Sequence, residues 1–299
     1  MRDILVRIPL PFLDKDIPLY SYGFMAMLGF IAAVLVARWR AKRVGASPQN
    51  AADVAMFALL GGIIGSRIFY VFQNRAYYFD TSRPDWSVLD FFKLWEGGLV
   101  FYGGFIGAVI LAAIVMRVRK EKMLPMLDVL APSLALGHAF GRIGCLMRGC
   151  CYGRPTAEGA WWGIRFPENA VPYTSPSACR YGDRIPAGTS LFPTQIVSAL
   201  DLLIVFGLLS LYFKHRRGKG EVFAVYMMLY SIHRFAVEFF RGDTHLPGVL
   251  SSAQWIGLVA FFAGAGLWVY ARRTAPDIGS GNAAGKARRK FRGKRAASR

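Results

Sequence analysis

Seven apolar runs of about 20 residues each constrain this chain more than anything else in it. They fall at roughly 19–39, 52–73, 96–117, 124–146, 190–213, 221–241 and 250–271. A helix of that length spans a hydrocarbon core at about 1.5 Å per residue. Inside lipid each backbone N–H and C=O needs a partner within its own segment, which a helix supplies. The expected fold class is an all-α integral membrane protein with seven transmembrane helices. Asp128, Pro132 and His138 interrupt the fourth run, and His233, Arg234 and Glu238 sit in the sixth. Only 18% of the 299 residues are charged, against about a quarter in a soluble domain.

The formal net charge of +19 suggests a nucleic-acid partner at first. Its distribution argues otherwise, because the basic residues cluster where apolar runs end. Arg38, Arg40, Lys42 and Arg43 follow the first run, and Arg117, Arg119, Lys120 and Lys122 the third. Lys214, Arg216, Arg217 and Lys219 follow the fifth, and Arg272 and Arg273 the seventh. If successive runs cross in alternate directions, all four clusters share one side, which is then cytoplasmic. The N-terminus is expected outside and the C-terminus inside, with loops 74–95, 147–189 and 242–249 facing outward. Residues 1–18 read as an outer interfacial arm. Arg7, Pro9, Pro11, Asp14, Lys15 and Pro18 break it, so no signal-peptide core forms there. Residues 19–271 make up the seven-span domain. The basic stretch 272–299 is expected to be a disordered cytoplasmic tail, either drawn to anionic lipid or solvated and reinforcing orientation. No nucleic-acid partner is expected.

Ionisable groups inside spans cost about 2.5–3.5 kcal/mol each on insertion scales. By helix rise, Arg67, Arg142 and Arg234 lie about 15, 18 and 13 residues from the cytoplasmic ends of their spans, and Tyr102 about six from an outer end. All four reach the outer half of the membrane. Clustered arginines there repel unless an anion joins them, and a phosphate suits the bidentate guanidinium. The alternative is that each arginine snorkels or pairs with a carboxylate. Arg234 and Glu238 are four apart and Glu238 and Arg241 three apart, so a structural ladder of ion pairs is credible. Arg142 and Arg67 have no carboxylate near them in their own spans. The pairs Gly61/Gly65, Gly103/Gly107 and Gly137/Gly141 read best as close helix contacts. Gly103 and Gly104 can also let a lipid headgroup approach the backbone.

The stretch Gly141-Arg142-Ile143-Gly144-Cys145-Leu146-Met147-Arg148-Gly149-Cys150-Cys151-Tyr152-Gly153-Arg154 runs from an apolar segment into the long outer loop. Together with Tyr22-Gly23-Phe24-Met25, Gly61 to Arg67, Trp95-Glu96-Gly97-Gly98, Tyr102 to Gly107, Pro193-Thr194-Gln195 and Arg234 to Arg241, it resembles the prolipoprotein diacylglyceryl transferase family over most of 19–271. The family pattern has histidine where this chain has Tyr102, asparagine at Cys145 and glutamate at Cys150. After Pro-Thr-Gln the family usually has tyrosine and glutamate, here Val197 and Ser198.

The resemblance implies a bacterial inner-membrane enzyme. It moves the diacylglyceryl group of phosphatidylglycerol onto the lipobox cysteine of a preprolipoprotein and releases glycerol 1-phosphate. It implies catalytic roles for Arg142, Arg234 and Tyr102. It implies contacts to phosphatidylglycerol from Tyr22, Arg67, Gly103, Gly104, Arg142, Cys145, Gly153, Arg234, Glu238 and Arg241. No metal or organic cofactor is expected. A tyrosine of pKa about 10 is a weak base at neutral pH, and His138, four residues before Arg142, is the alternative base or a packing residue. Two other readings stay open: a related lipid transferase with altered substrate, and a non-catalytic seven-span phospholipid-binding or transport protein. Transport would place binding at the midplane.

The outer loop 147–189, with Trp161, Trp162, Ile164 and Phe166, is expected to form a small head, either an anchor or a lid. The four cysteines fit neither a disulfide scaffold nor a spaced zinc motif. In an oxidising compartment Cys179 is expected to pair with Cys150 or Cys151, unless all four remain thiols, because adjacent cysteines have the wrong geometry to bridge each other.

Overall fold

The computed structural model describes residues 4–10, 15–81, 87–93, 97–98, 100–157, 159–174, 185–243 and 250–275. The N-terminal arm is an antiparallel hairpin of β1 (Ile4–Leu10) and β2 (Lys15–Tyr20), which runs straight into the first helix. Pro9 pairs opposite Asp16 and Pro18 opposite Arg7. Both strands are edges, where a missing N–H is tolerated.

The helices are α1 (Ser21–Arg43), α2 (Pro48–Gln73), the short α3 (Arg75–Tyr78), α4 (Phe101–Val118), α5 (Met123–Arg148), the short α6 (Val171–Thr174), α7 (Thr194–His215), α8 (Glu221–Glu238) and α9 (Ser252–Arg273). A 3-10 turn covers Val88–Phe92. The seven long helices coincide with the seven apolar runs. Among the described residues six of them, of 18 to 26 residues, are long and apolar enough to cross a membrane. The sixth run, α8, departs from expectation. Its 18 residues include Glu221, Arg234 and Glu238, three charges that lower its hydropathy. A helix enclosed by partners need not be apolar all round, and α8 packs on α5, α7 and α9.

The glycine pairs of α2 and α4 interlock. A Cβ on Gly61 would strike the carbonyl of Gly107, and one on Gly65 would strike that of Gly103. Small residues here let two backbones touch, the close packing favoured where lipid supplies no hydrophobic drive between helices. Gly141 is different, since a Cβ there would meet nothing within 4 Å.

α5 is the centre of the bundle, packed on α1, α7 and α8. The interruptions of its sequence explain themselves. Asp128 is buried and accepts the backbone N–H groups of Gly220, Val222 and Phe223 at 2.7, 2.9 and 3.0 Å. A carboxylate at a helix N-terminus meets both the unpaired donors and the positive end of the dipole. The same end of the bundle collects the basic clusters. Arg40 donates to Ser210 Oγ, Arg119 pairs with Asp53 at 2.5 Å, and Arg272 pairs with Glu221 at 2.5 Å. These bonds tie the basic end of α1 to α7, that of α4 to α2 and that of α9 to α8.

Candidate active site

At the opposite end, α5 stops at Gly149, whose left-handed backbone (φ 80°) suits a residue without a Cβ. The N–H groups of Gly149 and Cys150 both turn back to the carbonyl of Cys145, at 2.9 and 3.1 Å. This reversal returns Cys150 and Cys151 to the side of Cys145. The three sulfurs lie within 4.8 Å of one another, as reduced thiols. Cys151 itself has φ 59°, a conformation that costs a non-glycine residue about 1–2 kcal/mol. Tertiary contacts hold it there. Thr194 Oγ1 donates to the Cys151 carbonyl at 2.7 Å and Gln195 Nε2 to the Cys150 carbonyl at 2.9 Å. Hydrogen bonds from Cys145 and then Cys150, opposed by burial and helped by Arg241 and Arg142, hold the Cys151 thiol below the ordinary thiol range.

The following loop is pinned from two sides. Gly153 N–H bonds the carbonyl of Phe192, and Arg154 N–H that of Phe240, at 3.2 and 2.9 Å. Gly242 N–H reaches the carbonyl of Tyr152 at 3.0 Å. A Cβ on Gly153 would collide with Phe192, so the glycine admits a backbone contact no other residue could. Three segments far apart in sequence thus meet: the end of α5, the start of α7 and the end of α8.

Arg142 lies on α5 one turn before Cys145, half-buried. It makes no hydrogen bond or ion pair with any described residue. Tyr22, which packs over Gly144 from α1, shares an electrostatic neighbourhood with Arg142 and all three cysteines. Arg142 also influences His138 and His233. Arg234 forms a short ion pair with Glu238, and Arg241 lies 3.9 Å from the same carboxylate while holding Asp243 with two bonds of 2.8 Å. The ladder anticipated for α8 is present. Three buried polar atoms on this helix find no partner among the described residues: Ser231 Oγ, His233 Nε2 and Glu238 Oε1. Buried groups left unpaired cost roughly 1–3 kcal/mol each, and a ligand bearing hydroxyls would satisfy them.

The remaining expected residues stand elsewhere. Arg67 is 6% exposed and spends its donors on α2's neighbours. Its Nε bonds the Phe91 carbonyl at 3.0 Å, its Nη1 those of Gly97 and Gly98 at 2.8 and 3.5 Å, and its Nη2 the Asp90 carbonyl and Tyr78 hydroxyl at 2.7 and 3.1 Å. These account for all five guanidinium N–H groups. The face of Gly103 is filled by Gly65 and Phe69, and Gly104 is approached by the Gly62 carbonyl and Ser66. Tyr102 is exposed on the opening turn of α4, edge-on to Phe101. His138 pairs with the Tyr226 hydroxyl at 3.2 Å and packs on Tyr230, the environment of a packing residue.

The described residues of the loop after α5 gather a small apolar cluster. Tyr152, Phe166, Tyr173, Ile185 and Leu191 form its core, while Trp161 stays 89% exposed. Trp95, Glu96, Cys179, part of the 157–180 segment and the basic tail from Pro276 on lie outside the described residues. Two features escaped the sequence. One is the convergence of three sulfurs, whose spacing matches no ligand motif. The other is the Asp201–His233 pair at 3.2 Å, which joins two helices without any local signal.

Long apolar helices enclosing arginines, thiols and unpaired acceptors near one end define an integral membrane protein with a polar interior site. A family model described as prolipoprotein diacylglyceryl transferase matches residues 11–270, and the chain belongs to that family. The phosphatidylglycerol–prolipoprotein diacylglyceryl transferase 2 of Clostridium perfringens is 34% identical over 248 residues, 82% of this chain and 88% of that protein. The corresponding transferase of Clostridium tetani is also 34% identical over 248 residues, covering 82% and 90%. That of Burkholderia lata is 33% identical over 278 residues, covering 85% and 92%.

Proposed function

We propose that this protein transfers the diacylglyceryl group of phosphatidylglycerol to the lipobox cysteine of preprolipoproteins, in a bacterial cytoplasmic membrane. The observation that carries the reading is the meeting of three family segments around an arginine with no partner among the described residues. The basic end of the bundle faces the cytoplasm and the cysteine-bearing end faces outward.

In this reading Arg142 receives the donor phosphate with its two-pronged guanidinium. The acceptor sulfur attacks the glyceryl carbon that carries the phosphate ester. A C–S bond forms, the C–O bond breaks, and glycerol 1-phosphate leaves with the electron pair. Charge grows on the departing oxygen, and a preorganised guanidinium in a low-dielectric site stabilises it there. Arg234 and Arg241, neutralised in part by Glu238 and Asp243, supply positive potential at the rim. Glu238 Oε1, His233 Nε2 and Ser231 Oγ can bond the hydroxyls of the headgroup glycerol. Tyr102, at the mouth of α4, takes the position where the family pattern has histidine. Gly153 shapes the loop above the donor, and Arg67 supports the outer segment beside it.

Complementation of a strain depleted of its own transferase tests this, with mass spectrometry of a reporter lipoprotein. The expected result is a reporter heavier by one diacylglyceryl group. A reporter that keeps its free cysteine, in cells where the protein is correctly inserted, refutes it.

A further inference from the structure

We propose that Cys145, Cys150 and Cys151 form a three-thiolate site for one thiophilic divalent ion, zinc by its chemistry, with a fourth position open to the incoming lipobox thiolate. The second half of this rests on the transferase function proposed above.

Geometry comes first. Zinc–sulfur bonds of about 2.3 Å place the sulfurs of a tetrahedral site about 3.8 Å apart. The three sulfurs here already lie within 4.8 Å of one another, close to that spacing. The backbone is held in place, because Gln195 and Thr194 fix the carbonyls of Cys150 and Cys151. Such supporting bonds orient ligands and raise affinity. Three soft sulfur ligands select zinc or a similar thiophilic ion over magnesium or calcium.

Charge decides between an ordinary and an open site. Three thiolates on a divalent ion carry one net negative charge, and a fourth carries two. Arg142 and Arg241 both act on this cluster, and guanidinium charge beside it offsets part of the negative charge of the four-thiolate form. Such an offset matters where desolvation is expensive. Three protein ligands with a vacant fourth position is also the pattern of catalytic rather than structural zinc.

The chemistry answers a need. A free thiol of pKa about 8.5 is mostly protonated at neutral pH. On reaching the fourth position the lipobox thiol loses its proton to solvent and remains a nucleophile. Its sulfur then attacks the donor's glyceryl carbon, the C–O bond to the phosphate ester breaks, and glycerol 1-phosphate leaves with the electron pair. The thioether formed is a neutral, weaker ligand, so the product departs.

The test uses the full-length protein in detergent, reduced, stripped of metal and titrated with cadmium as a spectroscopic stand-in for zinc. We expect one cadmium per chain, a sulfur-to-cadmium charge-transfer band, competition by zinc, and loss of the band in a C145S/C150S/C151S variant. A peptide carrying a lipobox cysteine should raise the band by about a third, the change from three Cd–S bonds to four; a serine peptide should not. If the triple variant fails to fold, zinc protection of the three wild-type thiols from alkylation replaces it. Substoichiometric cadmium, thiols left unprotected, or a Cys145–Cys150 disulfide in protein taken directly from the membrane overturns the site. Equal transferase turnover with and without metal overturns the fourth position alone. One cadmium bound with no transfer by any form overturns the transferase function and leaves the three-thiolate site standing.

Discussion

Arg142 and Arg234 should fail in different ways when truncated to alanine. Arg142 has no hydrogen bond or ion pair to lose, so Arg142→Ala should change folding stability by no more than about 0.5 kcal/mol, the range of substitutions away from structural contacts. Its loss should appear in turnover, which should fall roughly 10²–10³-fold, about 3–4 kcal/mol of transition-state stabilisation. Arg234 instead forms a short ion pair with Glu238, whose side chain is 1% exposed. Removing one partner of a buried pair strands the other charge and costs about 3–5 kcal/mol. Arg241, 3.9 Å from the same carboxylate, should moderate that to the lower end. Against a total stability of about 5–15 kcal/mol, Arg234→Ala should lower the amount of folded protein visibly. Thermal unfolding in detergent and turnover per correctly inserted molecule, measured on both variants, read the two effects separately. Arg142→Lys should recover little, because a point charge does not replace the bidentate fork. Near-normal turnover for Arg142→Ala, or a loss of folded protein matching that of Arg234→Ala, would refute the reasoning.

Further outcomes follow from other contacts. Gly103→Leu should lower thermal stability by about 1–3 kcal/mol or more through overpacking against Gly65 and Phe69, seen as a lower unfolding midpoint; an unchanged midpoint would mean the α2–α4 contact is looser than described. Arg67→Ala removes five hydrogen bonds to the outer segment, and limited proteolysis should then cut between residues 79 and 100 faster than in wild type, with the rest of the bundle resistant. Tyr102→His should maintain or raise turnover if the proton acceptor acts at that position, and a clear loss would move the role elsewhere. Deleting residues 157–180 should abolish turnover and leave insertion intact, and retained turnover would exclude a lid.

Sequence alone determined the membrane character, the seven long helices and most of their limits, because 20 consecutive apolar residues in lipid have few alternatives to a helix. It also determined the contacts of Gly61/Gly65 with Gly103/Gly107 and the Arg234–Glu238–Arg241 ladder, which follow from spacings of three and four on a helix, while Gly141 of the third pair meets no neighbour. The reason Asp128 stands in an apolar run was not legible there, since its partners are the N–H groups of α8, some 90 residues later. Nor was the division of the arginines. Helix rise places Arg67 and Arg142 at similar depth, but rotation about each helix axis is set by packing, and packing turns Arg67 into loop carbonyls and leaves Arg142 without a partner among the described residues. The three sulfurs make the same point. Their approach depends on one left-handed glycine at 149 and on anchors from α7, and a one-dimensional pattern holds neither.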